Sequence, residues 1–255
     1  AVSCNNGARR WTPIELAFDY CIGELRRDHA TPAHLHDVMQ TALSHGRTQS
    51  VTMPLDGSDE PESPGWIAVT RRTIATMYAL GGHIEMPWDT YLPTPDARRY
   101  FGRPENYADL TAFIRGIAAH LDGHGEAYAS GCGVVDDRWQ QQPVTLPTAD
   151  GIFLTVRARP GDPEAPLVMH IIDWRDEPAP VAITIDRPAF FGTADLTARL
   201  LQPVRPVDEK AHAAAFDSGD YAGLVETTSV SIDREGRLLL PAFDPWGVVV
   251  FAAAP

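Results

Sequence analysis

The chain has 255 residues, 44% hydrophobic and 22% charged, a profile that fits a globular protein with room for two domains. Its net charge of -13 argues against a nucleic acid or an anionic membrane as partner, since either would need a basic footprint. No apolar run approaches the ~20 residues that a membrane-spanning helix requires.

From the start to about residue 125, strand-like runs alternate with helix-like segments. The strand candidates are AVSCNN (1–6), FDYCIGE (18–24), QSVTMPL (49–55) and HIEMPW (83–88). Thr31 and Pro32 form a helix start, and Leu35, Val38, Met39, Ala42 and Leu43 then recur at helical spacing up to Gly46. Ser63 and Pro64 open a second helix, with Ile67, Ile74, Met77 and Tyr78 in its pattern and a stop at Gly81 and Gly82. A third is expected from Asn106 to Leu121, striped by Leu110, Phe113, Ile114 and Ile117. One strand and one helix per roughly 30 residues predict βαβ units and a parallel sheet.

The texture then changes. Residues 126–142 are expected to be a linker. Residues 143–255 hold short β-type runs, among them GIFLTVRARP, PLVMHIIDW, VAITIDRP, LVETTSVSID, GRLLLPA and WGVVVFAAA, split by Pro, Gly and Asp. That pattern predicts an antiparallel β-sandwich, with DREG (233–236) as a hairpin turn and a short helix near 208–216.

Odd and even positions of the first four strands separate into two sets, because successive side chains point to opposite faces. Val2, Cys4, Phe18, Tyr20, Ile22, Val51, Met53, Ile84 and Met86 make a larger, apolar set. Ser3, Asn5, Asp19, Cys21, Gly23, Ser50, Thr52, His83 and Glu85 make a smaller, polar one. An open sheet with helices on both faces would be apolar on both. A barrel lumen near an active site is allowed to be polar. A closed barrel needs twice the four strands found here, and the first begins abruptly at Ala1. The expected fold is therefore α/β plus all-β: residues 1–125 as the last four βα units of a (β/α) barrel, followed by the sandwich at 143–255. A second chain or segment would supply the first half of the barrel.

Such barrels place chemistry at the C-terminal strand ends. Those ends offer Asn5 and Asn6, then Glu24, then Asp56, then Trp88 and Asp89, with Tyr91 close behind and His83 and Glu85 in the last strand itself. Carboxylates and amides bind sugar hydroxyls, and aromatic rings bind the C–H faces of sugars. Glycoside hydrolysis needs two carboxyl groups, one as proton donor and one as nucleophile or base. Glu24, Glu85 and Asp89 are thus the catalytic candidates, and Asn5, Asn6, His83, Trp88 and Tyr91 the substrate-binding ones. Each has a plainer alternative: Glu24 precedes Arg26 and Arg27 and fits a rim ion pair, and Glu85 fits a buried structural carboxylate. Cys4, Cys21 and Cys132 lack metal-ligand spacing. Cys4 and Cys21 fall in neighbouring predicted strands, as a pair or as two small buried residues. No cofactor and no metal are expected.

The segments ALGGHIEMPWDTYLP, RRYFGRPENYADLTAFIRG, VMHIIDWRDEP and LPAFDPWGVVVF together resemble the C-terminal half of bacterial TIM-barrel glycoside hydrolases of agarase-like and clan A type. The resemblance implies a barrel followed by a small β-sandwich, a secreted or periplasmic setting, and hydrolysis of a polysaccharide or oligosaccharide. It also implies that Trp88 floors a sugar subsite at the end of strand eight. The chain departs from that pattern at the end of strand seven, where the relatives carry a nucleophilic Glu and only Asp56 lies nearby. Two other functions fit the residues: a noncatalytic carbohydrate-binding or assembly subunit, and a polysaccharide lyase or isomerase using His83, Tyr91 or Tyr20 as base.

Overall fold

A computed structural model describes residues 2–7, 11–53, 60, 62–85, 103–146, 150–162, 164–191 and 196–253. The chain is a mixed helix-and-sheet protein of two compact units, Ala1–Thr111 and Ala112–Pro255.

In the first unit, β1 (Ser3–Asn5), β2 (Tyr20–Glu24), α1 (Pro32–Ser44), β3 (Thr48–Thr52), α2 (Pro64–Ala79) and β4 (His83–Ile84) follow one another. The strands are parallel, and their order in the sheet is their order in the chain. Both helices begin where their caps dictate. The Thr31 hydroxyl accepts the His34 N–H at 3.4 Å and the Ser63 hydroxyl accepts the Trp66 N–H at 3.3 Å, each with a proline in the first turn. α1 buries Leu35, Val38, Met39 and Ala42, and α2 buries Trp66, Ile74, Met77 and Ala79. Gly82, immediately before β4, has no room for a side chain, because a Cβ there would lie 2.5 Å from Met77 Cε and 2.7 Å from Met39 Sδ.

The third helix is shorter than its apolar stripe. A 3-10 turn (Pro104–Tyr107) leads into α3 (Ala108–Gly116), and a second 3-10 turn (Ala118–His120) follows. α3 stops at Gly116, where a Cβ would come within 2.4 Å of Val225 Cγ2. At the other end, Arg71 of α2 grips Asp109 in a fork, with Nη1–Oδ1 at 2.7 Å and Nη2–Oδ2 at 2.6 Å, and also donates to the Asn106 carbonyl at 2.7 Å. Both charged side chains are buried.

The second unit holds β5 (Gly125–Ser130), β6 (Val144–Thr145), β7 (Ile152–Ala158), β8 (Leu167–Asp173), β9 (Val181–Ile185) and a short α4 (Arg187–Phe191). After these come β10 (Leu196–Pro203), α5 (Glu209–Ser218), β11 (Val225–Val230), β12 (Arg237–Leu240) and β13 (Trp246–Ala253). They build a six-stranded antiparallel sheet in the order β11-β10-β13-β8-β7-β5 and a three-stranded one, β12-β9-β6. One apolar cluster joins both, with Leu154, Ile171, Leu200 and Val249 from the larger sheet and Ile183 and Leu238 from the smaller. The opposite face of the larger sheet is buried too, through Phe153, His170, Val248 and Trp246, and the Phe113 ring of α3 meets Trp246 edge-on at 5.1 Å.

Three expectations are revised. Residues 125–130, most of which fall in the expected linker, form β5 at the edge of the larger sheet, paired with β7. The DREG segment does turn tightly, with the Gly236 N–H bonded to the Asp233 carbonyl at 3.0 Å, but the strands beside it are not a hairpin. β11 pairs with β10 and β12 with β9, so the chain changes sheets at this turn. The phase of β2 is the third. Parallel register sets Cys21 beside Cys4 and Gln49, and Gly23 beside Val51, which in turn sits beside Ile84. Tyr20 and Ile22 therefore face the polar side with Asn5, Ser50 and His83. The small residues of β2 occupy the tightly packed side, where Cys21, Gln49, Val51 and Met53 are fully buried.

Candidate functional site

The register of the parallel sheet builds the site in rows. Asn5, Ile22, Ser50 and His83 form one row across β1 to β4. One step towards the strand C-termini, Glu24 pairs with Thr52, and Glu85 follows Ile84, the partner of Val51. The Glu85 N–H bonds the Val51 carbonyl at 2.9 Å and the Leu25 N–H bonds the Thr52 carbonyl at 2.7 Å, so the ladder still runs at this level. Glu24 and Glu85 thus flank Thr52 on one face. Neighbouring strands lie about 4.8 Å apart, so the two glutamate Cα atoms are separated by about 9.6 Å.

Glu24 and Glu85 are exposed, whereas Thr52 is 94% buried and its hydroxyl has no hydrogen-bond partner. A buried hydroxyl without a partner costs free energy. Close to Glu24, Arg26 pairs with Asp28 at 3.2 Å and the Arg27 guanidinium lies 6.0 Å from the Trp66 ring centre.

The remaining candidates divide. His83 is exposed and its ring meets Tyr78 edge-on at 5.7 Å. The Asn5 side-chain oxygen, Oδ1, accepts the Gly7 N–H at 3.0 Å, which folds the chain back after β1. Asn6 turns to the helix-facing side, where it exchanges hydrogen bonds with Gln49 at 3.1 and 3.3 Å. Gln49 also donates to the Cys21 and Ser50 carbonyls at 3.1 and 2.8 Å. This amide network ties β1, β2 and β3 together and gives Asn6 a structural duty. Asp56, Trp88, Asp89 and Tyr91 lie outside the described residues.

Thr52 and Gln49 were not singled out from the sequence. The signal for Thr52 was its place with Glu85 in the polar set, but its pairing with Glu24 depends on the phase of β2. Among the described residues no group of three His, Cys, Asp or Glu side chains is placed to hold a metal ion, and no helix is long and apolar enough to cross a membrane. No protein-family model matches the chain, and no curated protein matches it significantly.

Proposed function

We propose that the chain is the C-terminal part of a glycoside hydrolase, with its parallel units as the second half of a (β/α) barrel and its two antiparallel sheets as the layers of a β-sandwich. The observation that carries this reading is the row Glu24–Thr52–Glu85 at the C-terminal end of the parallel strands. Their Cα spacing lets two flexible glutamates bring their carboxyls to separations of about 5–9.5 Å, the range that glycosidases use. In this reading one carboxyl protonates the leaving oxygen, and the other attacks the anomeric carbon or activates a water. Asn5 and His83, one row below, bind sugar hydroxyls. A second chain or segment completes the barrel.

The test is release of reducing ends from a panel of polysaccharides, agarose included, by the protein and its variants. Glu24→Gln and Glu85→Gln should each cut turnover by about 100- to 10,000-fold while leaving the circular dichroism spectrum unchanged. No hydrolysis across the panel, or Glu24→Gln activity within a few-fold of the parent, would overturn the reading.

A further inference from the structure

Two thiols meet at the edge of the parallel sheet. Cys4 in β1 and Cys21 in β2 are register partners, and their sulfurs are 3.2 Å apart. In-register residues on adjacent parallel strands have Cα atoms about 4.8 Å apart, inside the about 4.4–6.8 Å that a disulfide spans. Both side chains point to the same face, so only the sulfurs need to move. We propose that Cys4 and Cys21 are a redox-active pair that closes to a disulfide, stapling the edge strand β1 to β2 immediately before Asn5 and Asn6.

The two cysteines have different parts. Cys4 is half-buried and is the sulfur that an oxidant reaches first, whereas Cys21 is fully buried. With a small disulfide such as oxidised glutathione as co-reactant, the Cys4 thiolate attacks one glutathione sulfur and expels the first glutathione thiolate. The Cys21 thiolate then attacks the Cys4 sulfur of this mixed disulfide and expels the second. The protein loses two protons and two electrons, and one oxidised glutathione becomes two reduced ones. While both cysteines are reduced, burial, followed by the neighbouring Cys4 thiol, pushes the Cys21 thiol up to about 12, so Cys21 is a poor first nucleophile. Cys132, in the other unit, is the internal control, with a thiol that burial pushes up to about 11.

The inference stands apart from the hydrolase reading, because its readout is covalent. The native protein, freed of reductant, is incubated with excess oxidised glutathione at pH 8.5, then denatured, mapped by mass spectrometry and titrated for thiols. The expected result is a loss of about 2 Da, a peptide cross-link between Cys4 and Cys21, and a fall from three titratable thiols to one. Cys4→Ser should keep both remaining thiols under the same treatment. Three surviving thiols, a lasting glutathione adduct on Cys4, or a cross-link that includes Cys132 would each overturn the proposal.

Discussion

The parallel sheet of the first unit and the six-stranded sheet of the second use their faces differently. On the parallel sheet one side carries fully buried residues such as Val51 and Met53, and the other carries exposed Asn5, Glu24, His83 and Glu85 around a buried Thr52. In the second unit, β7 and β8 are buried at nearly every position, with Leu154 and Ile171 on one face and Phe153 and Ile172 on the other. A sheet covered on both faces is written as continuous apolar runs, and a sheet with one polar face as a mixture. The lesson lies in exposure: the polar groups on one side of the parallel sheet are largely open to solvent, whereas those of β7 and β8 (Thr155, Arg157, His170 and Asp173) are buried in a structural layer.

The comparison is sharpened most by removing an apolar anchor from the layered unit. Trp246→Ala empties the fully buried site that meets Phe113 and should cost about 4 kcal/mol, read as a lower urea midpoint with an unchanged slope. A loss under about 1 kcal/mol would mean that this face is not a packed layer.

The first unit should instead be most sensitive at its buried ion pair. Arg71→Met withdraws the guanidinium fork from a buried Asp109 and should cost about 3 kcal/mol in the same measurement. Adding Asp109→Leu should restore part of the loss, because the cost lies in stranding one buried charge. No recovery in the double variant would show that the fork itself, with its bond to the Asn106 carbonyl, sets the helix geometry.

A smaller effect is expected from a fully buried histidine inside the layered unit. His170 is fully buried with both ring nitrogens unbonded, and burial, followed by the charges of Arg157, His124 and His120, holds its pKa well below the ordinary value. The unfolded chain therefore takes up this proton first, below about pH 6.5. Stability is full above that pH and falls with acid until the lower pKa of the folded ring is passed. His170→Leu should remove a slope of up to about 1.4 kcal/mol per pH unit between pH 6.5 and 5, seen as a difference between parent and variant denaturation curves. Parallel curves would mean that the ring is hydrated or already charged.

What could be read from the sequence follows from how local each signal is. The helices at 32–44 and 64–79 were legible because Thr31-Pro32 and Ser63-Pro64 are self-contained starts. The phase of β2 was not, because Tyr20 and Ile22 are more hydrophobic than Cys21 and Gly23, while close packing beneath the sheet favours the smaller pair. β5 was hidden by its glycine and serine ends, and its strand character depends on β7, whose first residue comes 22 positions after Ser130. Of the site, Glu24 and Glu85 were named from their strand ends. That they share a row with Thr52, and that Asn6 turns away to Gln49, required the register.

The position of β13 carries a consequence for how the chain is made. This strand follows the other described strands in the sequence, yet it lies in the middle of the six-stranded sheet, between β10 and β8. Until it emerges from the ribosome, the β11–β10 pair and the β8-β7-β5 group have no hydrogen-bonded connection, and each presents an open strand edge. Ordering that sheet therefore waits for β13, whose residues lie 47–57 positions from those they join in β10 and 74–84 from those in β8, so the loop-closure cost is met only once this strand is available.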